Sequence, residues 1–172
     1  MQETPEEYSQ RIRGYAANRA PLKILRETPI KISGLIRGLS KKQMRTHPGP
    51  EKWSIAEIIA HLADTELAMG FRYRQILSRN GIPLQAYDQE AWADNGRYND
   101  IDPRESLALF SAVRAANLNV LKSMPHSRWY HYGMHEERGK ETMRTIALLE
   151  AGHDINHLRQ IETIAKEAKR RK

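Results

Sequence analysis

The chain has no cysteine. That excludes disulfides, thiolate zinc sites, iron–sulfur clusters and any nucleophile built on a protein sulfur. Long apolar runs are missing as well. The longest stretches without a charged residue, Ser106 to Val113 and Asn80 to Tyr87, are eight residues each, against the ~18 that a membrane span requires. The opening Met1-Gln2-Glu3-Thr4-Pro5 has no secretory apolar segment. A soluble, cytoplasmic protein without a membrane partner is expected. Also lacking are internal repeats, low-complexity tracts and any segment with enough apolar–polar alternation to predict a strand.

The 172 residues that remain are enough for one domain, 1–172, to bury a core without cross-links. Lys and Arg outnumber Asp and Glu by 28 to 21, a net charge of +7. Residues 166–172 hold five basic groups and one acid, so this tail carries +4 and the rest of the chain only +3. No recognition motif or aromatic–basic platform accompanies it. The tail reads as a solvated end, and no specific nucleic-acid partner is expected.

Prolines and caps divide the chain into helices. A short one opens near Pro5 with Glu6 and Glu7 in its first turn, and a longer one runs from about Pro21 to Gly38 with a restart or kink at Thr28-Pro29. Thr46-His47-Pro48-Gly49-Pro50 is a turn by composition. Ser54-Ile55-Ala56-Glu57 is a capping box, and Ile55, Ile59, Leu62, Met69, Tyr73 and Ile76 form an apolar stripe that carries its helix to about Arg79. Residues 81–102 form a long connection with a short helix expected around Gln89 to Trp92. Asp102-Pro103 starts a helix whose stripe is Leu107, Phe110, Val113, Leu118 and Leu121. A second connection, 125–141, is rich in His, Trp and Tyr, and a last long helix starts near Thr142. Four long helices with two long connections predict an all-α protein: a four-helix bundle whose connectivity is not a simple meander.

The last helix carries the chemistry. His153 and His157 fall within the sector defined by Ile146, Leu149, Ile161 and Ile164, so two imidazoles one turn apart face inward. This spacing offers two nitrogens to one metal ion. The alternative is a pair of core histidines, which requires two sets of buried polar partners. His61 lies on the flank of the earlier stripe. If its helix neighbours the last, three imidazoles converge and leave coordination positions open, as in a catalytic rather than a closed structural site. Gly152 costs the helix ~1 kcal/mol against alanine, a cost consistent with close approach of a ligand or of a packed neighbour. His47 reads as a solvated turn residue. His126, His131 and His135 either line the mouth of the site or lie on the surface. Asp64, Glu66 and Asp154 neighbour the histidines, Gln160 points inward from one turn after His157, and no general base is assigned. Trp92 and Trp129 are candidate pocket walls, with core packing as the alternative role.

Three segments carry a resemblance. His153-Asp154-x-x-His157-x-x-Gln160-Ile161, Trp53-Ser54-x-x-Glu57-Ile58-x-x-His61-Leu62-x-Asp64-x-Glu66 and His135-Glu136-Glu137-Arg138-Gly139-x-x-Thr142 resemble the DinB-like, YfiT-type superfamily of metal-dependent hydrolases over roughly residues 20–165. The resemblance implies a four-helix bundle of atypical connectivity, often a homodimer. It implies a divalent metal (zinc, nickel, iron or manganese) held by His61, His153 and His157. It also implies a small-molecule substrate and either hydrolysis or transfer involving a low-molecular-weight thiol. The lack of cysteine does not count against the latter, since the thiol there comes from a cosubstrate. A metal-dependent enzyme is the expected function. The alternative is a non-catalytic, metal-binding or stress-related helical bundle protein.

Overall fold

The helix-start signals act where the sequence places them. In the computed structural model, which describes residues 3–170, Thr4, Ser40 and Ser54 each accept from the amide three residues on. Glu7, Gln43 and Glu57 respectively reach back to complete capping boxes. These open α1 (Pro5–Ala16), α3 (Lys41–Arg45) and α4 (Ile55–Ser78). Between the first two lies α2 (Pro21–Ile36). Asp88 caps α5 (Gln89–Asn95), Asp102 caps α6 (Pro103–Ser123), and α7 (Met143–Arg170) closes the order. The helix expected from Ser54 to about Arg79 and the starts expected at Asp102-Pro103 and near Thr142 are therefore present within two residues. Residues 171–172 of the basic tail lie outside the described residues, and the rest of the tail continues α7.

Pro29 does not break α2. A proline inside a helix removes one amide and leaves the carbonyl four residues earlier without its partner. That carbonyl is Leu25, and the Arg114 guanidinium of α6 donates to it at 2.8 Å. The helix runs through Pro29 without a restart, and the carbonyl it frees is taken by a tertiary hydrogen bond.

The four long helices are α2, α4, α6 and α7. Helix α2 packs against α6 and α7, and α4 packs against the same two. Consecutive pairs α2/α4 and α6/α7 thus lie across the bundle. A meander would make each consecutive pair neighbours; here the connections at 37–54 and 124–142 cross it. The atypical connectivity follows from these two crossings, while the 79–102 connection joins neighbours.

The absence of strands is corrected. A three-stranded sheet is built from β1 (Ile82–Leu84), β2 (Tyr132–His135) and β3 (Gly139–Thr142), with β1 parallel to β2 and β2 antiparallel to β3. Strands of three and four residues are too short to show a period of two. Pro83 is tolerated because β1 is an edge strand. Gly133 pairs opposite Ile82, and a Cβ on it would lie 2.4 Å from Leu84. The sheet anchors the 125–141 connection on the end of α4 and leads directly into α7.

The core has two main clusters. One gathers Leu25, Tyr73, Ile76, Leu118, Leu121, Met143 and Ile146; the other Ile32, Met44, Ile55, Ile59, Phe110, Ile161 and Ile164. The buried face of α6 is rotated from the expected stripe: Ser106, Phe110, Arg114, Asn117 and Leu121 are buried, while Leu107 and Val113 are only partly so. No helix among the described residues is long and apolar enough to cross a membrane.

Candidate metal centre

Helix α4 contributes His61 and α7 contributes His153 and His157, and packing of α4 on α7 brings the rings together. The Nε2 atoms of His61 and His153 are 3.0 Å apart, as are those of His153 and His157. One ring nitrogen from each of the three lies within 4.8 Å of the others. All three residues are buried. Trp53 places its ring 4.9 Å from that of His61.

Proton bookkeeping shows what this cluster needs. Burial holds His61 down to about 3 and His157 to about 4, and pushes His153 well below the ordinary histidine value, so the rings are neutral near pH 7. Gln160 Oε1 lies 2.7 Å from His157 Nδ1. Nδ1 therefore carries the proton and Nε2 presents a lone pair to the centre. His153 Nε2 faces two other Nε2 atoms, and its Nδ1 is buried without a hydrogen-bond partner among the described residues. One proton cannot satisfy three nitrogens that converge on one point. A divalent cation does, and the donor set fits one.

The acids near the histidines are engaged elsewhere. Asp64 accepts from the Tyr98 hydroxyl at 2.5 Å. Glu66 and Asp154 each accept from Arg114 at 2.6 Å. Glu150, beside the same guanidinium, accepts from the Tyr73 hydroxyl. Burial, with Glu66 adding to it, pushes the Glu150 carboxyl well above the usual range. Burial likewise raises Asp154, with Arg114 opposing. None of these carboxylates is free to act as a base.

Two cavities reach the centre. One, of about 760 Å³, meets His157 and Gln160 and is walled by Trp53 and by Tyr8 and Arg11 of α1. The second, of about 330 Å³, meets His153 and Thr65 at one end and Arg72, His135 and Arg138 at the other. At the far end of the second, the sequence singles out only His135 as a candidate for the mouth of the site, and that ring is buried at the end of β2. His126 and His131 lie on the surface side of the connection, and His47 pairs with Glu57 at 2.8 Å. Trp129 packs against the core. Trp92 lines neither cavity and stacks on Tyr87 at 4.4 Å. The tryptophan that does line a cavity is Trp53, quoted in the motif but given no role. Gly152 also has its explanation. A Cβ there would lie 1.9 Å from the Ile12 carbonyl oxygen, so the glycine admits the α1 backbone rather than a ligand.

The sequence model of the DinB superfamily matches residues 24–161. The chain belongs to that superfamily. Among curated relatives, one from Bacillus subtilis carries the name "Putative metal-dependent hydrolase YfiT". It is 22% identical over 147 residues, 84% of this chain and 82% of the relative. A relative from Geobacillus thermodenitrificans, with the name "Putative metal-dependent hydrolase", is 23% identical over 144 residues, 83% and 80% of the two chains. The solved structure of YfiT, described as an unusual four-helix bundle, superposes with a TM-score of 0.80 at 18% identity. The match covers 96% of this chain and 90% of that one and shows the shared fold.

Proposed function

We propose that this DinB superfamily member is a cytoplasmic, metal-dependent enzyme that acts on a small molecule at a centre formed by His61, His153 and His157. The observation that carries the reading is the convergence of three neutral, buried imidazoles that two cavities nevertheless reach. The names of the relatives support it. A divalent ion held there by the three imidazoles (zinc, nickel, iron or manganese) would supply Lewis acidity toward a bound water or thiol.

The chain's own residues do the rest. Gln160 holds the His157 tautomer that turns Nε2 inward, the part usually played by a carboxylate or carbonyl behind a ligating imidazole. Trp53 packs beside His61 and bounds the larger cavity. Because Asp64, Glu66, Glu150 and Asp154 are committed to Tyr98, Arg114 and Tyr73, none of them stands beside the centre as a free base. Hydrolysis and thiol-dependent transfer both suit such a site, and in the latter the thiol is a cosubstrate because the chain has none. Two openings and only three protein donors favour this reading over a closed structural metal site.

Metal analysis after loading tests it. The full chain should hold one divalent ion, and His157→Ala should lose stoichiometric metal while keeping its helical circular dichroism. Full metal content in a His153→Ala/His157→Ala double variant would contradict the assignment.

A further inference from the structure

Helix α4 sets Thr65, Met69 and Arg72 along one side of the smaller cavity, in line with His61 one turn before Thr65. Arg72 is 95% buried, yet among the described residues it makes no ion pair. Its Nη2 donates to the Gln85 carbonyl at 2.6 Å and lies 3.3 Å from His135 Nε2. Among the described residues its other nitrogens donate to no protein group, and the side chain lines the cavity. A buried guanidinium without a carboxylate is costly, and such charges are ordinarily paired.

His135 sharpens the point. Its Nδ1 accepts from the Glu137 amide at 3.2 Å. The neutral ring therefore carries its proton on Nε2, the atom facing Arg72. Two donors confront each other across 3.3 Å with no acceptor between them. The Tyr87 ring lies under the guanidinium, 5.5 Å from its centroid, and the Tyr87 hydroxyl is 3.3 Å from that of Thr65. Thr65 Oγ1 is in turn 3.5 Å from His61 Nε2. The wall is continuous from the guanidinium to the imidazoles.

We propose that Arg72 and His135 form a subsite for the anionic group, a carboxylate or a phosphate, of the small molecule that reaches the three-histidine centre. An oxyanion there accepts from both facing donors at once and neutralises the lone guanidinium. The nearby acids do not substitute for it: Glu3 is paired with Arg11, Glu150 is held by Tyr73 and Arg114, Glu137 is exposed at the rim, and Glu141 is paired with Arg138. Because α4 rises about 16 Å between His61 and Arg72, a ligand that joins the two is an extended chain with its charged group well away from the atom that reacts. The subsite deepens the metal-enzyme reading and rests on it for its link to the centre.

Two measurements on the full chain test the proposal separately from that reading. In metal-free protein, inorganic phosphate is titrated while the His135 ring correlations are followed by NMR. A saturable shift is expected in the wild type, with its loss in Arg72→Gln. Arg72→Lys, which keeps the charge without the planar fork, should retain a weakened shift and serves as the folded control. No shift in the wild type, or the same shift in Arg72→Gln, overturns the subsite. In cobalt-loaded protein, a mercaptocarboxylate and the mercaptoalcohol of equal length are compared through the ligand-field bands. The carboxylate should bind about tenfold tighter, and Arg72→Gln should erase the difference. Equal affinities in the wild type overturn the link between subsite and centre. Bands unmoved by either thiol refute the open metal site and leave the phosphate titration to decide the subsite.

Discussion

Arg114 is the residue on which the bundle converges. From α6 it donates to Glu66 of α4, to Asp154 of α7 and to the Leu25 carbonyl that Pro29 frees in α2, and it lies 3.2 Å from Glu150 of α7. One guanidinium thus ties all four long helices, and Asn117 adds a hydrogen bond to Glu66 Oε1 at 2.8 Å. Replacing a whole buried ionic cluster by apolar groups can be neutral, but removing one partner leaves the others uncompensated. Arg114→Met should therefore lower stability by about 3–5 kcal/mol, read as the midpoint of urea unfolding. A loss below about 1 kcal/mol would place the cluster among weak surface pairs and contradict its role.

At the scale of elements, α1 is a cover over the site rather than a member of the bundle. It packs on α7 at Gly152, and its Tyr8 lines both cavities. The glycine sacrifices ~1 kcal/mol of helix propensity to let the α1 backbone approach. Gly152→Ala regains that propensity but puts a methyl group onto the Ile12 backbone, which cannot move aside as a side-chain tip can. The expected net effect is a destabilisation of about 1–3 kcal/mol. Hydrogen exchange should accelerate in α1 while α4 and α6 stay protected. Unchanged protection of α1 would refute the close packing.

For the molecule as a whole, the histidine cluster couples folding to pH. Histidines in the unfolded chain titrate near ~6.5, whereas His61 and His157 are held to about 3 and about 4 in the fold. Between these values the unfolded state binds more protons, so metal-free protein loses stability as pH falls from the ordinary histidine value toward 4. Glu150, raised by burial, acts in the opposite sense above the ordinary carboxylate range. The cluster is therefore isolated by comparison. The stability difference between wild type and a His61→Leu/His157→Leu variant should shift against the wild type between pH 7 and pH 5 in thermal melts. A pH-independent difference would mean that the rings titrate normally.

Helix positions and the identity of the three histidines were determined by the sequence itself. Caps and prolines are local signals, acting within one turn, so Ser54, Asp102 and Pro103 mark helix starts without knowledge of the fold. The pairing of His153 with His157 is equally local, since 3.6 residues per turn puts them side by side. Tertiary structure alone decided the rest. Whether His61 meets that pair depends on α4 lying beside α7, an adjacency set by two crossings of the bundle rather than by any local pattern. Arg114 interrupted an apolar stripe in plain view, but its partners come from three other helices. Likewise Pro29 reads as a helix breaker until a guanidinium from α6 takes the carbonyl it leaves open. The three short strands show no period: β1 pairs with β2 about fifty residues further on, and the β2–β3 hairpin is too short to alternate visibly. Arg72 and His135, 63 residues apart, become a site only because β2 ends against α4. Side-chain identity and helical spacing are encoded within a few residues, whereas convergence of charges and lone pairs is a property of packing.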